Sequence, residues 1–187
     1  MALGPRWRRR AAGERHAVAA AYAAVVAQAR APGFFAELGV PDTLDGRFES
    51  MALHMFLLLH RLKAEPSASG FGQALFDFFF ADMDRSLREM GAGDLGVGRR
   101  VKAMAEALYG RIAAYEAGLA ADASTLADAL RRNLYGTVAD PDPAHVSALA
   151  RYLARQRHHL ASLPLAGVLE GDVAFLPLAA AIGEGRP

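Results

Sequence analysis

The sequence predicts an all-α protein folded as a single compact bundle of about six helices, and three observations carry that expectation. The 187 residues include 41 Ala and 24 Leu, both strong helix formers. Only 15 are Val, Ile or Thr, too few to furnish an all-β or doubly wound fold. Apolar residues recur at three- and four-residue steps in successive segments that close on Gly or Pro, the signature of amphipathic helices. The length suits one core.

Val18, Tyr22, Val25, Val26 and Ala29 place the first helix over about 14–30, ending before Pro32. Pro32, Gly33, Gly39, Pro41 and Gly46 mark a long structured connection. A second helix runs over about 47–63. Phe48, Met51, Met55, Leu58 and Leu62 form one stripe, and Leu53, Phe56, Leu57 and Leu59 fill the other sides. A helix apolar all round belongs at the centre of its bundle. The third, over about 70–90, carries Phe71, Leu75, Phe78, Phe79, Met83 and Leu87, with Gly91 as its C′ stop. Val101, Met104, Leu108, Ile112, Tyr115 and Leu119 give the fourth. Asp122 or Ser124 caps a fifth with Leu126, Leu130 and Leu134, and Asp142-Pro143 opens a sixth that ends before Pro164. The expected organisation is a basic flexible tail over 1–13, a helical domain over 14–165 and a C-terminal tail over 166–187.

Charge and cysteine content narrow the function. With 21 basic and 20 acidic residues there is no global field for nucleic acid, so no specific DNA binding is expected. The absence of Cys excludes disulfides, thiolate metal sites and a Cys nucleophile. The longest dense apolar run, Met51 to Leu59, is far short of the roughly 20 residues of a membrane span, so the expectation is a soluble protein. Arg6, Arg8, Arg9, Arg10 and Arg15 face only Glu14 at the start, without the apolar core of a secretory signal or the serines of a transit peptide. They read as a basic tail able to touch anionic lipid, at about 1 kcal/mol per basic side chain.

No catalytic, metal or cofactor constellation emerges. Gly91-Ala92-Gly93-Asp94-Leu95-Gly96 satisfies GxGxxG but follows a Phe-rich helix. A dinucleotide site needs a strand there, so the string reads as a helix–helix corner requiring positive φ and close backbone approach. No Glu has a His three positions on, as a di-metal bundle requires. His54, inside the apolar helix, reads as a hydrogen-bonded core imidazole. The corner is charged: Asp77, Asp82, Asp84, Arg85, Arg88 and Glu89 precede it, and Arg99, Arg100 and Lys102 follow. Acids late in one helix and cations early in the next oppose both dipoles. Two readings stand. Asp82, Asp84, Gly91, Gly93, Asp94 and Gly98 build an ion-paired structural corner, or Arg88, Arg99, Arg100 and Lys102, with Phe78 and Phe79, form a docking surface for a partner.

These strings also carry a family resemblance. Gly39-Val40-Pro41-Asp42-Thr43-Leu44-Asp45-Gly46-Arg47-Phe48-Glu49, Leu75-Phe76-Asp77, Asp82-Met83-Asp84 and Leu87-Arg88-Glu89-Met90-Gly91 resemble the ubiquinol–cytochrome c chaperone family. Gly93-Asp94-Leu95, Val97-Gly98-Arg99-Arg100-Val101-Lys102, Tyr109-Gly110-Arg111 and Tyr115 continue it. The likeness is dense over about 17–135 and looser to 165. It implies a bacterial-type, non-enzymatic assembly factor for the cytochrome bc1 complex, without cofactor, whose client is newly made cytochrome b. It further implies a small helical co-chaperone, a ribosome contact and a cytoplasmic place with peripheral contact at the inner membrane. The competing reading from another class is a helical lipid- or quinone-binding protein with an internal apolar cavity. An open groove favours the first and a closed cavity the second.

Overall fold

Thr43 opens the helix that the others surround. Its side chain accepts from the Gly46 amide at 3.1 Å, satisfying a free N-terminal donor. Asp45 in the first turn and His60, Arg61 and Lys63 in the last complement the helix dipole. The computed structural model describes residues 6–91 and 93–183, with residues 6–11, 94 and 95 given by their backbone. In chain order its helices are α1 (Arg6–Ala29), α2 (Pro32–Ala36), α3 (Leu44–Lys63), α4 (Ser69–Glu89), α5 (Asp94–Ala120), α6 (Ala123–Asn133), α7 (Pro143–Ser162), α8 (Leu165–Leu169) and α9 (Leu178–Ile182). Six have 11 residues or more, and no strand occurs among the described residues. The all-α bundle is the fold that the apolar spacing predicts.

Helix α3 is central. Every residue from Met51 to Leu58 is buried, and α1, α4, α5 and α7 all pack on it. Its polar side chains are therefore cut off from water and need internal partners. Ser50 donates to the Ala29 carbonyl at 2.8 Å. His54 Nδ1 lies 2.7 Å from the Ser50 carbonyl and Nε2 lies 2.7 Å from the Tyr152 hydroxyl. A carbonyl only accepts, so Nδ1 bears the proton and Nε2 accepts from Tyr152. Gln28 then donates to the Tyr152 oxygen at 3.0 Å. Phe34 and Phe175 meet the imidazole edge-on, with ring centroids 5.1 and 5.6 Å away. His54 is the hydrogen-bonded core histidine that its place in the sequence suggests, and burial pushes its pKa down to about 4.

The caps of α6 and α7 are also as read from sequence. Asp122 accepts from the Thr125 amide at 2.8 Å, and Asp142 from the Ala144 amide at 2.7 Å. At the far end of α7, Arg61 of α3 donates to the Leu160 and Leu163 carbonyls at 3.0 and 3.3 Å. A cation thus meets a helix C-terminus, where the dipole favours it.

Both chain ends depart from the expected organisation. Helix α1 begins at Arg6, so residues 6–13 continue the helix instead of forming a flexible tail. Ala and Arg propagate a helix already nucleated by its apolar half. The segment after 165 is not a tail either. Val168 and Ala181 are fully buried, and the intervening irregular stretch is fixed at Leu176 by Gln28 and Gln156. Helix α3 starts at Leu44, earlier than the expected 47, because Thr43 supplies the cap.

The buried imidazole makes stability depend on pH. The folded chain holds His54 neutral down to about 4, whereas the unfolded chain protonates it near 6.5. Its contribution is complete above 6.5 and is lost as pH falls from 6.5 towards 4, by about 3 kcal/mol in total. Denaturant melts between pH 7 and 4 should show this slope, and His54→Leu should flatten it while lowering stability throughout.

Candidate functional site

The family-like strings fall on three helices: the start of α3, both halves of α4 (residues 75–77, then 82–89) and α5 from its first turns to Tyr115. At the start of α3 a methyl group on Gly46 would lie 2.0 Å from the Pro41 carbonyl oxygen, so the connection can approach the helix only over glycine. One turn on, Glu49 is 8% exposed and takes Nε and Nη2 of Arg111, from α5, in a two-pronged pair. Arg111 Nη1 donates to the Ala107 carbonyl at 2.9 Å, and its guanidinium sits 5.7 Å from the Phe48 ring centroid. Phe48 stacks in turn on Phe79 of α4 at 6.3 Å. Bidentate ion pairs hold both distance and orientation, so this chain of contacts fixes α3, α4 and α5 together. Beside it opens a cleft of about 410 Å³ lined by Asp45, Phe48, Met104, Arg111, Asn133 and Thr137 among others. The Tyr115 hydroxyl is buried without a hydrogen-bond partner. Burial, and then the nearby Glu49 charge, push its ionisation well above the usual range.

At the corner between α4 and α5 the described ion pairs run along the helices. Asp84 pairs with Arg88 at 2.6 Å and Asp82 with Arg85, both along α4. Arg88 holds the Asp84 carboxyl below its ordinary range. Lys102 reaches Glu106 at 3.9 Å within α5. Residues three or four apart share a helix face and pair at lower entropic cost than side chains that must reach across a turn. Asp82 also accepts from the Tyr22 hydroxyl of α1 at 2.8 Å. Arg99 and Arg100 are exposed and have no carboxylate partner among the described residues.

The other predicted site residues separate. Phe79 is fully buried and belongs to the core, whereas Phe78 is 36% exposed against Tyr22 at 5.1 Å. Adjacent helical residues point about 100° apart, and on α4 that turn leaves Phe78 at the edge of the face that buries Phe79 and Phe80. Gly91 has φ 86° and ends α4 as expected. Gly93 has φ −67°, and a Cβ at Gly93 or Gly98 would meet nothing within 4 Å. Gly98 lies inside α5, so Gly91 alone carries the conformational demand of the corner. Asp94 opens α5; its side chain lies outside the described residues.

Two further hollows flank the bundle. One of about 240 Å³ lies between α3, α4 and α5 and contains Lys63, Phe76, Tyr109 and Glu116. Another of about 380 Å³ runs between α6 and α7. All three open to solvent. No described helix is long and apolar enough to cross a membrane.

A profile of the family described as "Ubiquinol-cytochrome C chaperone" matches residues 36–175. The chain belongs to the ubiquinol–cytochrome c chaperone family. The crystal structure of the Cbp3 homolog from Brucella abortus superposes with a TM-score of 0.82 at 39% identity, over 92% of this chain and 95% of that one. Protein CBP3, mitochondrial, of Saccharomyces cerevisiae is 32% identical over 148 residues, 77% of this chain but 44% of the yeast protein. The ubiquinol-cytochrome-c reductase complex assembly factor 1 of Xenopus laevis is 30% identical, over 78% of this chain and 73% of its own length. This chain thus spans less than half of the yeast relative.

In this member of the family the Glu49–Arg111 pair was not apparent from the sequence, although both residues lie in family-like strings. The available signal was Glu49 itself, a carboxylate on the face of a helix otherwise apolar all round. Its partner lies 62 residues away, beyond any periodic pattern. Arg111→Ala would leave Glu49 buried without its cation, a loss of about 3 kcal/mol. Asp84→Asn, in an exposed pair, should leave the melting temperature nearly unchanged. Thermal melts of both variants check the contrast.

Proposed function

We propose that this chain is a non-enzymatic assembly chaperone for the cytochrome bc1 complex, ubiquinol–cytochrome c reductase, and that its client is newly made cytochrome b. The observation that carries the reading is that Asp45, Gly46, Phe48, Glu49 and Arg111 of the family-like strings line one cleft, on helices locked together by Glu49 and Arg111. Its relatives include proteins named as assembly factors of that complex. An apolar cleft with charged edges holds a hydrophobic segment reversibly, and Met104 in its wall adapts to irregular apolar shapes. The buried titratable groups serve packing: His54 and Glu49 are consumed by partners within the bundle.

In this reading Arg99, Arg100 and Lys102 recognise the client or a small helical co-chaperone, and Phe78 supplies apolar contact. The protein works in the cytoplasm, beside the ribosome and peripherally at the inner membrane, where cytochrome b is inserted. Affinity capture of the tagged chain from cells, with detection of cytochrome b, tests the client; capture that never contains cytochrome b overturns it. Replacing Arg99, Arg100 and Lys102 together by Ala should reduce capture severalfold with little change in melting temperature, because surface substitutions move stability by about 0.5 kcal/mol each. Unchanged capture by that stable variant removes the basic run from recognition.

A further inference from the structure

After Gly171 the chain leaves helical geometry and runs without regular secondary structure to Pro177 before α9. Four side-chain hydrogen bonds end on the main chain of this strap, and a fifth holds α9 just beyond it. Gln156 Nε2 donates to the Leu176 carbonyl at 2.7 Å, and its Oε1 accepts from the Leu176 amide at 3.1 Å. Gln28 donates to the same carbonyl at 3.0 Å. His159 Nε2 donates to the Ala174 carbonyl at 2.9 Å, and Arg155 to the Ala180 carbonyl at 3.1 Å. Val173 and Ala181 are buried, Phe175 lies on the His54 ring and Leu176 and Leu178 are half-buried against the core, whereas Ala174, Pro177, Ala179 and Ala180 are exposed.

A groove that pairs both polar atoms of one residue with a single amide side chain does what a neighbouring strand does in peptide recognition, where main-chain bonds supply affinity for an extended segment whatever its sequence. Such a segment, held by few buried side chains, lies at the low end of local stability. The groove does not favour standing empty, because lifting the strap strips partners from the amides of Gln28 and Gln156. One extended segment therefore exchanges for another.

We propose that the groove formed by Gln28, His54, Gln156 and His159 is a binding site for an extended apolar polypeptide, occupied at rest by residues 173–177 of the chain itself, and that a client segment displaces them. The identity of the client rests on the chaperone reading above; the site is tested without it. The probe is a fluorescent peptide of residues 171–178, titrated against the full chain and followed by anisotropy. Leu176→Pro removes the amide that Gln156 accepts from, and Phe175→Ala withdraws the ring from His54 while leaving every main-chain bond in place. Each weakens the resident competitor, so each should bind the peptide about tenfold more tightly than the unchanged chain. Adding Gln156→Ala should abolish that gain. Hydrogen exchange over 172–182 should quicken in both variants and on peptide addition, with α3 and α7 still protected. Quickened exchange without tighter peptide binding overturns the proposal. So does a strap that remains as protected as α7 in both variants, since it would then be core and not an exchangeable occupant. Cytochrome b capture is scored separately: its absence with peptide binding intact counts against the client and not the site.

Discussion

Helix α3 is buried on every side, yet it carries Glu49, Ser50 and His54 within two turns. Each would cost several kcal/mol if left without a partner, and each is satisfied from a different helix. Glu49 takes Arg111 of α5, Ser50 takes the last carbonyl of α1, and His54 takes Tyr152 of α7. Apolar burial alone would tolerate rotation or sliding of these neighbours, since it is non-directional. Three directional contacts on one rod fix the azimuth and height of three helices. The bundle is driven by its Leu, Phe and Ala surfaces, but its register is set by these polar groups. A partly satisfied set would be worse than none, so the three act as a joint condition on the native packing.

The same condition separates the rigid and exposed parts of the functional end. Arg111 pins the middle of α5 against α3, while the first turns of α5, with Arg99 and Arg100, project beyond the pinned region into solvent. Along α4, Asp82 pairs with Arg85 and Asp84 with Arg88, while Asp77 and Glu89 leave the helix net acidic. The two arginines in the early turns of α5 remain uncompensated by any described carboxylate and oppose the positive end of that helix dipole. Such placement costs little at the surface and is relieved by an approaching anion, which fits the recognitive role proposed for the two arginines.

What the sequence disclosed follows from how local each interaction is. The centrality of α3 was legible because its apolar residues occur at every helical angle, and the caps at Asp122 and Asp142 because they bond to amides two or three residues on. At the corner, counting charges does not distinguish a pair along one helix, such as Asp84–Arg88, from a pair across the turn. Phe78 and Phe79 looked alike until the helix rotation assigned one outward and one inward. The strap was illegible for another reason. Its contacts run from Gln, His and Arg side chains to main-chain atoms, and a main-chain partner leaves no mark on residue type or spacing.

In the proposed chaperone role, reversible holding sets an energetic ceiling on apolar contact. Among the described residues the large exposed hydrophobic side chains are Leu44, Phe78, Met90 and Tyr109, at 66, 36, 58 and 60% exposure. Burying a fully exposed side chain of this kind is worth about 2 kcal/mol, so covering what is exposed of all four gains about 4 kcal/mol. Ordering and lost translational freedom consume about 4 kcal/mol or more. Apolar contact with these four alone is thus too weak to trap a client. A useful complex therefore needs additional contacts that are absent from an ordinary apolar patch: charge pairing at Arg99 and Arg100, or main-chain bonds such as those that Gln28 and Gln156 now give to Leu176. Both are directional and both can be exchanged for alternatives when the client moves on. A larger apolar face would bind more tightly but release slowly and invite self-association. Small apolar contacts assisted by exchangeable polar ones are what a protein needs if it must let its client go.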